Sequence, residues 1–427
     1  MSYALFPFKF FRFVFVESYF HRSALRDSII TEFPSRDLFL SVVIPSYNED
    51  NILQCLKSLL LCDSPACSVE VLVVINYPQN ASSEIQEKSK KCADDLRHWA
   101  IQHRNEKLKF FILLEELPVK DAGVGLARKI GMDEAARRFD FLKREEGVIV
   151  CLDADCEVSG NYLCCLQDHF MKNNLTPAAS IRFEHRLQNL SPENSKAIIL
   201  YEIFLRYYIN ALRYSGFPHA FQTIGSSMAV RNLIYQKQGG MNKRKAGEDF
   251  YFLQKIFPLG NFTEVNSCCV YPSARMSDRV PFGTGKSVAE QLNGKILLFY
   301  DFEIFRQFKI FNEQIIHYGF SSSASILLKT IPKDISDYFS NSNFEFHLNQ
   351  IKANVRDSTS FIKRFYAWLD GFRVLKMVHS LSDNRFPRKA ISATDFSAFF
   401  GPESGYESNE LLKLFREKDR LFQSKNS

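Results

Sequence analysis

The chain has 427 residues, 46% of them hydrophobic and 24% charged, with a formal net charge of +6 and a pI near 8.7. That length exceeds a typical single domain and supports a sizeable core. The mild basicity excludes the dense positive charge of a nucleic-acid binder but suits a small anionic substrate or an anionic membrane surface. The 10 Cys form no CxxC…CxxC frame, and the adjacent pairs Cys164-Cys165 and Cys268-Cys269 suit neither a disulfide scaffold nor a zinc site. They read as reduced thiols in a cytosolic protein with no evident secretory signal.

No apolar run reaches about 18 residues, so no transmembrane helix is predicted. The nearest candidate, residues 5–20 (LFPFKFFRFVFVESYF), is interrupted by Lys9, Arg12 and Glu17 and lacks a cleavage site. Its Phe face can pack on the domain as an N-terminal arm, the reading favoured here, or lie on a membrane surface. The chain then divides into an arm at 1–37, an α/β domain at 38–287 and a mainly helical extension at 288–427.

Leu38–Ile44 is an unbroken apolar run stopped by Pro45, the pattern of a strand buried on both faces. A polar loop from Ser46 to Asn51 follows, then a helix marked by Ile52, Leu56, Leu59 and Leu60. Val69–Ile75 is a second strand closed by Asn76, Ser82–Asn105 a polar helix, Leu108–Leu114 a third strand, and Gly123–Phe139 a helix entered through a glycine turn. The organising stretch is Gly147–Val158, GVIVCLDADCEV, a buried strand that ends by presenting Asp153 and Asp155. Two carboxylates one residue apart repel and raise each other's pKa. A hard divalent ion such as Mg²⁺ or Mn²⁺ relieves that conflict. A polar turn is the bland alternative.

A helix at Leu163–Lys172, a strand at Ala178–Phe183 and a long helix at Pro192–Tyr214 follow. Phe221–Val230 carries a central Gly-Ser-Ser suited to a tight floor. Lys245–Phe250 brings Glu248 and Asp249 to the start of an apolar-periodic helix, where acidic residues also suit the helix dipole. Val265–Val270 is a further strand. Tyr271–Lys286 holds Arg275, Arg279 and Gly283-Thr284-Gly285, a phosphate clamp or a solvated loop. Beyond Val288 helices are predicted at 287–301 and 359–381, and 332–348 is rich in Ser, Asn and Phe without a chemical motif. Strand–helix alternation makes the first part an open, mostly parallel α/β sheet, with Pro45–Glu49, Asn76 and Asp153/Asp155 along the strand C-terminal edge where such sheets bind ligands.

Four of these segments in this order resemble glycosyltransferase family 2 with the GT-A fold: Val42–Glu49 (VVIPSYNE), Gly123–Ala135, Asp153-Ala154-Asp155 and Gly247-Glu248-Asp249. The resemblance covers about residues 38–287. It implies an inverting, metal-dependent transfer of a sugar from a nucleotide-diphosphate sugar, a UDP-sugar first among donors, to a saccharide or lipid-linked hydroxyl, as in cell-envelope polysaccharide or glycolipid assembly. It implies that Pro45, Tyr47, Glu49, Asn76 and Arg128 line the nucleotide side, Asp153 leans to the ribose, and Asp155 holds Mn²⁺ or Mg²⁺. Asp249, or else Glu248, is then the general base. Arg275 and Arg279 are candidates for a diphosphate clamp, His219 for the acceptor side and His185 for a third metal ligand. Two positions depart from the family: Asn76 replaces the usual Asp, which weakens a uracil preference, and Lys129 replaces Asn after Arg128.

The alternatives are a catalytically inactive GT-A fold acting as a binding protein and a sugar nucleotidyltransferase. The latter expects a Gly-rich basic signature after the first strand, where Ser46-Tyr47-Asn48-Glu49 stands. No nucleic acid partner is expected. The expected place is the cytoplasm, with peripheral contact at the inner face of a membrane left open.

Overall fold

A computed structural model describes residues 19–25, 27–275, 283–401 and 406–422. The eight strands among them, β1 (Leu38–Ser46), β2 (Ser68–Pro78), β3 (Leu108–Leu117), β4 (Val148–Cys151), β5 (Glu157–Val158), β6 (Ala178–Phe183), β7 (Met228–Arg231) and β8 (Thr263–Tyr271), form one sheet in the order β3-β2-β1-β4-β7-β6-β8-β5. The expected α/β architecture is therefore present, with a sheet of mixed sense. β3, β2, β1 and β4 are parallel, and β7 enters antiparallel to β4 and β6. Every residue of β1 is buried, which is why it reads as an unbroken apolar run. The helices to residue 254 are α1 (Ile52–Leu60), α2 (Ser83–His103), α3 (Val124–Phe141), α4 (Tyr162–Lys172), α5 (Pro192–Tyr214), α6 (Asn232–Lys237) and α7 (Glu248–Gln254).

The described residues fold as two compact units: those within 19–186 and 223–273, which hold the sheet, and those within 187–222 and 274–422, which are helical. The helical unit therefore includes α5. It continues with α8 (Thr284–Leu292), α9 (Phe302–Tyr318), α10 (Ala324–Thr330), α11 (Lys333–Ser340), α12 (Phe344–Ala353), α13 (Ser358–Trp368), α14 (Gly371–Asn384), α15 (Ser397–Phe400) and α16 (Ser408–Leu421). Its core is aromatic. Phe302, Phe305 and Phe308 recur every third residue of α9 and are buried together with Phe311, Phe361 and Phe365.

Several boundaries differ from the sequence reading. The predicted helix at 287–301 is α8, which ends at Leu292, and Phe299 pairs instead as an isolated bridge with Lys389. The helix predicted at 359–381 is two, broken at Leu369-Asp370-Gly371, where the Asp370 side chain caps α14 by accepting from the Arg373 amide. Residues 332–348 hold α11 and the start of α12. Strand β2 does not stop at Ile75 but runs through Asn76 to Pro78. The stretch 147–158 is two short strands, β4 and β5, with a turn between them that carries Asp153 and Asp155.

Helix α3 has no apolar stripe, yet residues from Gly125 to Ala136 are buried, charged ones included. Pairing explains this. Arg138 forks onto Glu70 of β2 at 2.5 and 2.6 Å. Lys129 pairs with Asp133 one turn on at 3.1 Å, and Asp133 also accepts from the Tyr19 and Tyr235 hydroxyls at 2.5 and 2.6 Å. Glu134 accepts from the Ser28 hydroxyl and the Ile29 and Ile30 amides. The arm thus packs on the domain through Tyr19–Ile30, and Lys129, unassigned in the sequence, helps seat it. The Phe-rich residues 5–18 lie outside the described residues. No helix among those described is long and apolar enough to cross a membrane.

Candidate active site

The first turn of α3 lacks side chains at Gly123 and Gly125, and this admits the loop that precedes α7. A Cβ on Gly125 would collide with the carbonyl of Arg244. Asn242 steadies that loop, donating its amide to the Glu248 carbonyl at 2.9 Å while accepting from the Arg244 amide at 3.1 Å. Glu248 is thereby delivered to Arg128, in the second turn of α3.

Arg128 is 1% exposed and joins two motifs that lie far apart in sequence. Nη2 donates to Asp153 at 2.5 Å, and Nη1 donates to Glu248. Gly225, from the predicted Gly-Ser-Ser floor, closes the cluster: a Cβ there would lie 2.9 Å from both guanidinium Nη atoms and from Asp249 Oδ2. Its bare backbone lets Arg128 and Asp249 share one small space. Asp249 is half-buried, and its Oδ1 accepts from the Phe250 amide at 2.7 Å.

One guanidinium faces three carboxylates here, and the acidities follow. Burial lowers Arg128's pKa, but Asp153 and Glu248 more than reverse this, so it stays a cation. Burial raises Glu248 to about 7 against the pull of Arg128, with Asp249 raising it further. Asp249 is also raised, by burial first, with Arg128 opposing. Protons are therefore held at this cluster near neutral pH more readily than at ordinary carboxylates.

Asp155 is half-buried on the same turn, and the buried Cys156 thiol points at its Oδ1 from 3.7 Å. Asp155, Asp153, Glu157 and Glu49 all act electrostatically on the buried Cys55 thiol, whose pKa is raised by burial first and then by these charges. The acidic residues of the β1–α1 loop, the β4–β5 turn and β5 thus act on one residue of α1. Pro45 is buried within β1, and Tyr47 just beyond it is 37% exposed. Glu49 is buried and accepts from the Asn51 amide at 3.0 Å, at the entry to α1. Asn76 is buried too, and its amide donates to the Ser46 carbonyl at 2.8 Å, tying the ends of β1 and β2.

His219 and Arg275 belong to the helical unit. Burial lowers His219 to about 4, so it is neutral at pH 7, and its ring packs edge-on against Phe217 and Tyr366. His185 is buried at the end of the sheet unit, against the Phe183 ring. Arg279 lies outside the described residues. What the sequence reading missed is the bridging role of Arg128 and the closure by Gly225. The signal for the first was a helix crowded with charge and without an apolar face.

Among the described residues no three His, Cys, Asp or Glu side chains gather to enclose a metal. Mg²⁺ and Mn²⁺ do not require such an enclosure, because one or two carboxylates and substrate phosphates suffice. Asp155 fits that arrangement, set beside an acid-rich cluster with a single arginine, whereas Asp153 already has one oxygen committed to Arg128.

Residues 41–235 match the family model for glycosyl transferase family 2. No curated protein matches the chain. Among solved structures, S. aureus TarS 1-349 in complex with UDP-GlcNAc is 15% identical with a TM-score of 0.39, covering 76% of this chain and 89% of that one. The mannosyltransferase PcManGT from Pyrobaculum calidifontis, in complex with GDP-Man and Mn²⁺, is 15% identical with a TM-score of 0.36, covering 88% of each chain.

Proposed function

From the premise that this protein is a glycosyltransferase with a glycosyl transferase family 2 domain at residues 41–235, we propose an inverting, metal-dependent transfer from a nucleotide-diphosphate sugar to a hydroxyl acceptor. The observation that carries the reading is Arg128, which links Asp153 to Glu248 beside Asp249. Asp249 takes the acceptor's proton as the acceptor oxygen bonds to the anomeric carbon. The bond from that carbon to the diphosphate breaks on the opposite face, and the negative charge leaves with the nucleotide diphosphate. Burial raises Asp249 above an ordinary Asp, which makes it a stronger proton acceptor. Arg128 acts as a positioning residue that keeps Asp249 ionised and fixes Asp153 toward the ribose. A bound Mn²⁺ or Mg²⁺, held by Asp155 and the donor's phosphates, supplies Lewis-acid stabilisation of the departing charge.

Pro45, Tyr47, Glu49 and Asn76 line the nucleotide side in this reading. Asn76 spends its amide protons on backbone carbonyls of Ser46 and Val74, so it meets a base as an acceptor, as the family's Asp would, which keeps a UDP-sugar first among donors. On the sequence resemblance alone, Arg275 and Arg279 are candidates for a clamp on the diphosphate and His219 for the acceptor side. The acceptor is a saccharide or a lipid-linked sugar, met in the cytoplasm or at the inner face of a membrane.

The test is a thermal-shift screen of nucleotide diphosphates and nucleotide sugars with and without Mn²⁺. A shift for one nucleotide that needs Mn²⁺ and disappears in Asp155→Ala supports the reading. A nucleotide shift indifferent to both would remove the metal role.

A further inference from the structure

Three exposed cations stand in a row just before the acidic pair: Lys243, Arg244 and Lys245. Other exposed cations of the sheet unit are held by carboxylates, Arg104 by Glu32 at 2.8 Å and Arg186 by Glu157 at 2.7 Å. Among the described residues no carboxylate pairs with any of these three, nor with the exposed Lys120 of the β3–α3 loop. Asp121, beside Lys120 in the chain, pairs with none of the four.

The four meet on one rim with a fixed backbone beneath it. The Lys245 ammonium donates to the Val119 carbonyl at 3.2 Å, one residue before Lys120, and so ties the two loops together. The Arg244 guanidinium lies over the ring of Tyr251, 3.8 Å from its centroid and two residues after Asp249. The Arg244 carbonyl occupies the space that Gly125 leaves, and the Lys245 Cα lies 3.0 Å from where a Gly123 Cβ would stand. The β3–α3 loop leaves the C-terminal end of β3, which is parallel to β2 and β1 and so opens on the same edge as Asn76 and Glu49.

Like charges gathered on one rim without counter-charges attract an anion from solution. An anion approaching Asp153, Glu248 and Asp249 would otherwise be repelled, and cations on the rim offset that repulsion. Their place selects which substrate they serve. They lead directly into Asp249, the proposed base, whereas Pro45, Tyr47, Glu49 and Asn76, the proposed nucleotide side, lie at the ends of β1 and β2.

We propose that the acceptor is an anionic saccharide, one bearing phosphate or carboxylate groups, and that Lys120, Lys243, Arg244 and Lys245 hold its charge beside Asp249. The inference rests on the glycosyl-transfer reading and narrows its acceptor. The cations move no proton and break no bond. They bind the acceptor's charged groups and orient the attacking hydroxyl toward the base, Arg244 with a planar fork suited to either oxyanion.

The full-length protein is titrated at low salt with three saccharides: a pentamannose carrying one phosphate, a tetragalacturonate and neutral maltopentaose. At least one charged saccharide should bind about tenfold or more tighter than maltopentaose, and which of the two does so separates phosphate from carboxylate. Lys243→Glu/Arg244→Glu should weaken that binding at least about tenfold, and Lys243→Gln/Arg244→Gln at least about threefold. Lys90→Glu/Lys91→Glu, the same charge change on exposed residues of α2, should leave it within about twofold. The neutral Gln pair keeps the test decisive if the Glu pair folds poorly. Equal binding of charged and neutral saccharides, no binding of either charged one, or equal losses in the two Glu variants would each overturn the proposal. So would loss of the Mn²⁺-dependent nucleotide shift in Lys243→Glu/Arg244→Glu, because these cations would then serve the donor. A charged saccharide held by this rim in a protein that no nucleotide shifts would keep the anion site and overturn the glycosyl-transfer reading instead.

Discussion

Two buried arginines, one in each unit, are surrounded in opposite ways. In the helical unit Arg206 donates to Glu202 at 2.9 and 2.8 Å and to Asp419 at 2.6 Å. Arg416 completes Glu202, while Arg213 and Asn210 complete Asp419. Among the described residues three arginines thus face two carboxylates, and α16 is bolted to α5. In the sheet unit one arginine, Arg128, faces Asp153, Glu248 and Asp249. The first cluster is saturated with positive charge and asks for nothing more. The second is short of it, so it binds protons tightly and favours a cation nearby. Similar residue types make a structural joint in one place and the proposed chemical site in the other, and the ratio of cations to carboxylates distinguishes them.

The largest expected effects separate the two clusters through their aspartates. Asp249→Asn should lower kcat by about 10²–10⁴-fold, the usual worth of a general base, with nucleotide binding and melting temperature little changed. Asp419→Asn should do the reverse: it strands buried guanidinium groups, costs about 3–5 kcal/mol of stability, and leaves turnover per folded molecule intact. Steady-state kinetics beside denaturant melts read both. If Asp249→Asn unfolded the protein as readily as Asp419→Asn, the contrast would collapse.

This contrast was only half readable in the sequence. The acidic motifs stood out because acidic residues at the end of an apolar strand, or leading into an apolar helix, break a local pattern. The sheet was readable for the same reason, since β1 and β2 are buried on both faces and their apolar runs say so. Partner choice was not readable. Arg128 reaches Asp153 across 25 positions and Glu248 across 120, and packing alone decides such pairs. The sequence reading gave Arg128 to the nucleotide, whereas its buried guanidinium is occupied by protein carboxylates. Lys129, one residue on, turns the other way to Asp133 and the N-terminal arm. The helix break at Asp370-Gly371 was a missed local signal, because an Asp followed by Gly inside an apolar-periodic stretch is an N-cap followed by a weak helix former.

A middle-sized effect tests the ratio itself. Arg128→Met removes a cation that opposes burial at Asp249 and Glu248, so both pKa values should rise further. With Asp249 as the proposed base, the acid limb of the kcat–pH profile should move to higher pH, by roughly a unit or more. Arg206→Met should leave that limb where it is, whatever it does to stability. An unmoved limb in Arg128→Met would mean that Arg128 does not control the base.

The smallest effect concerns stability against pH. Folded Glu248 holds its proton to about 7, against an ordinary value of 4.5. Over that window the folded state binds more protons than the unfolded chain, so the contribution of this group is full at pH 4 and is lost as the pH rises through 7. Glu248→Gln cannot ionise and removes that part of the slope. Gln stands in for the protonated carboxyl at every pH, so the melting temperatures of the two proteins should agree most closely at pH 4 and part by a few degrees toward pH 8, where only the native chain has lost this stability. A native chain that instead gained stability over the variant as pH rises would show that the ionised Glu248–Arg128 pair stabilises the fold more than the buried proton does. The sheet unit's cluster would then resemble the saturated joint around Arg206.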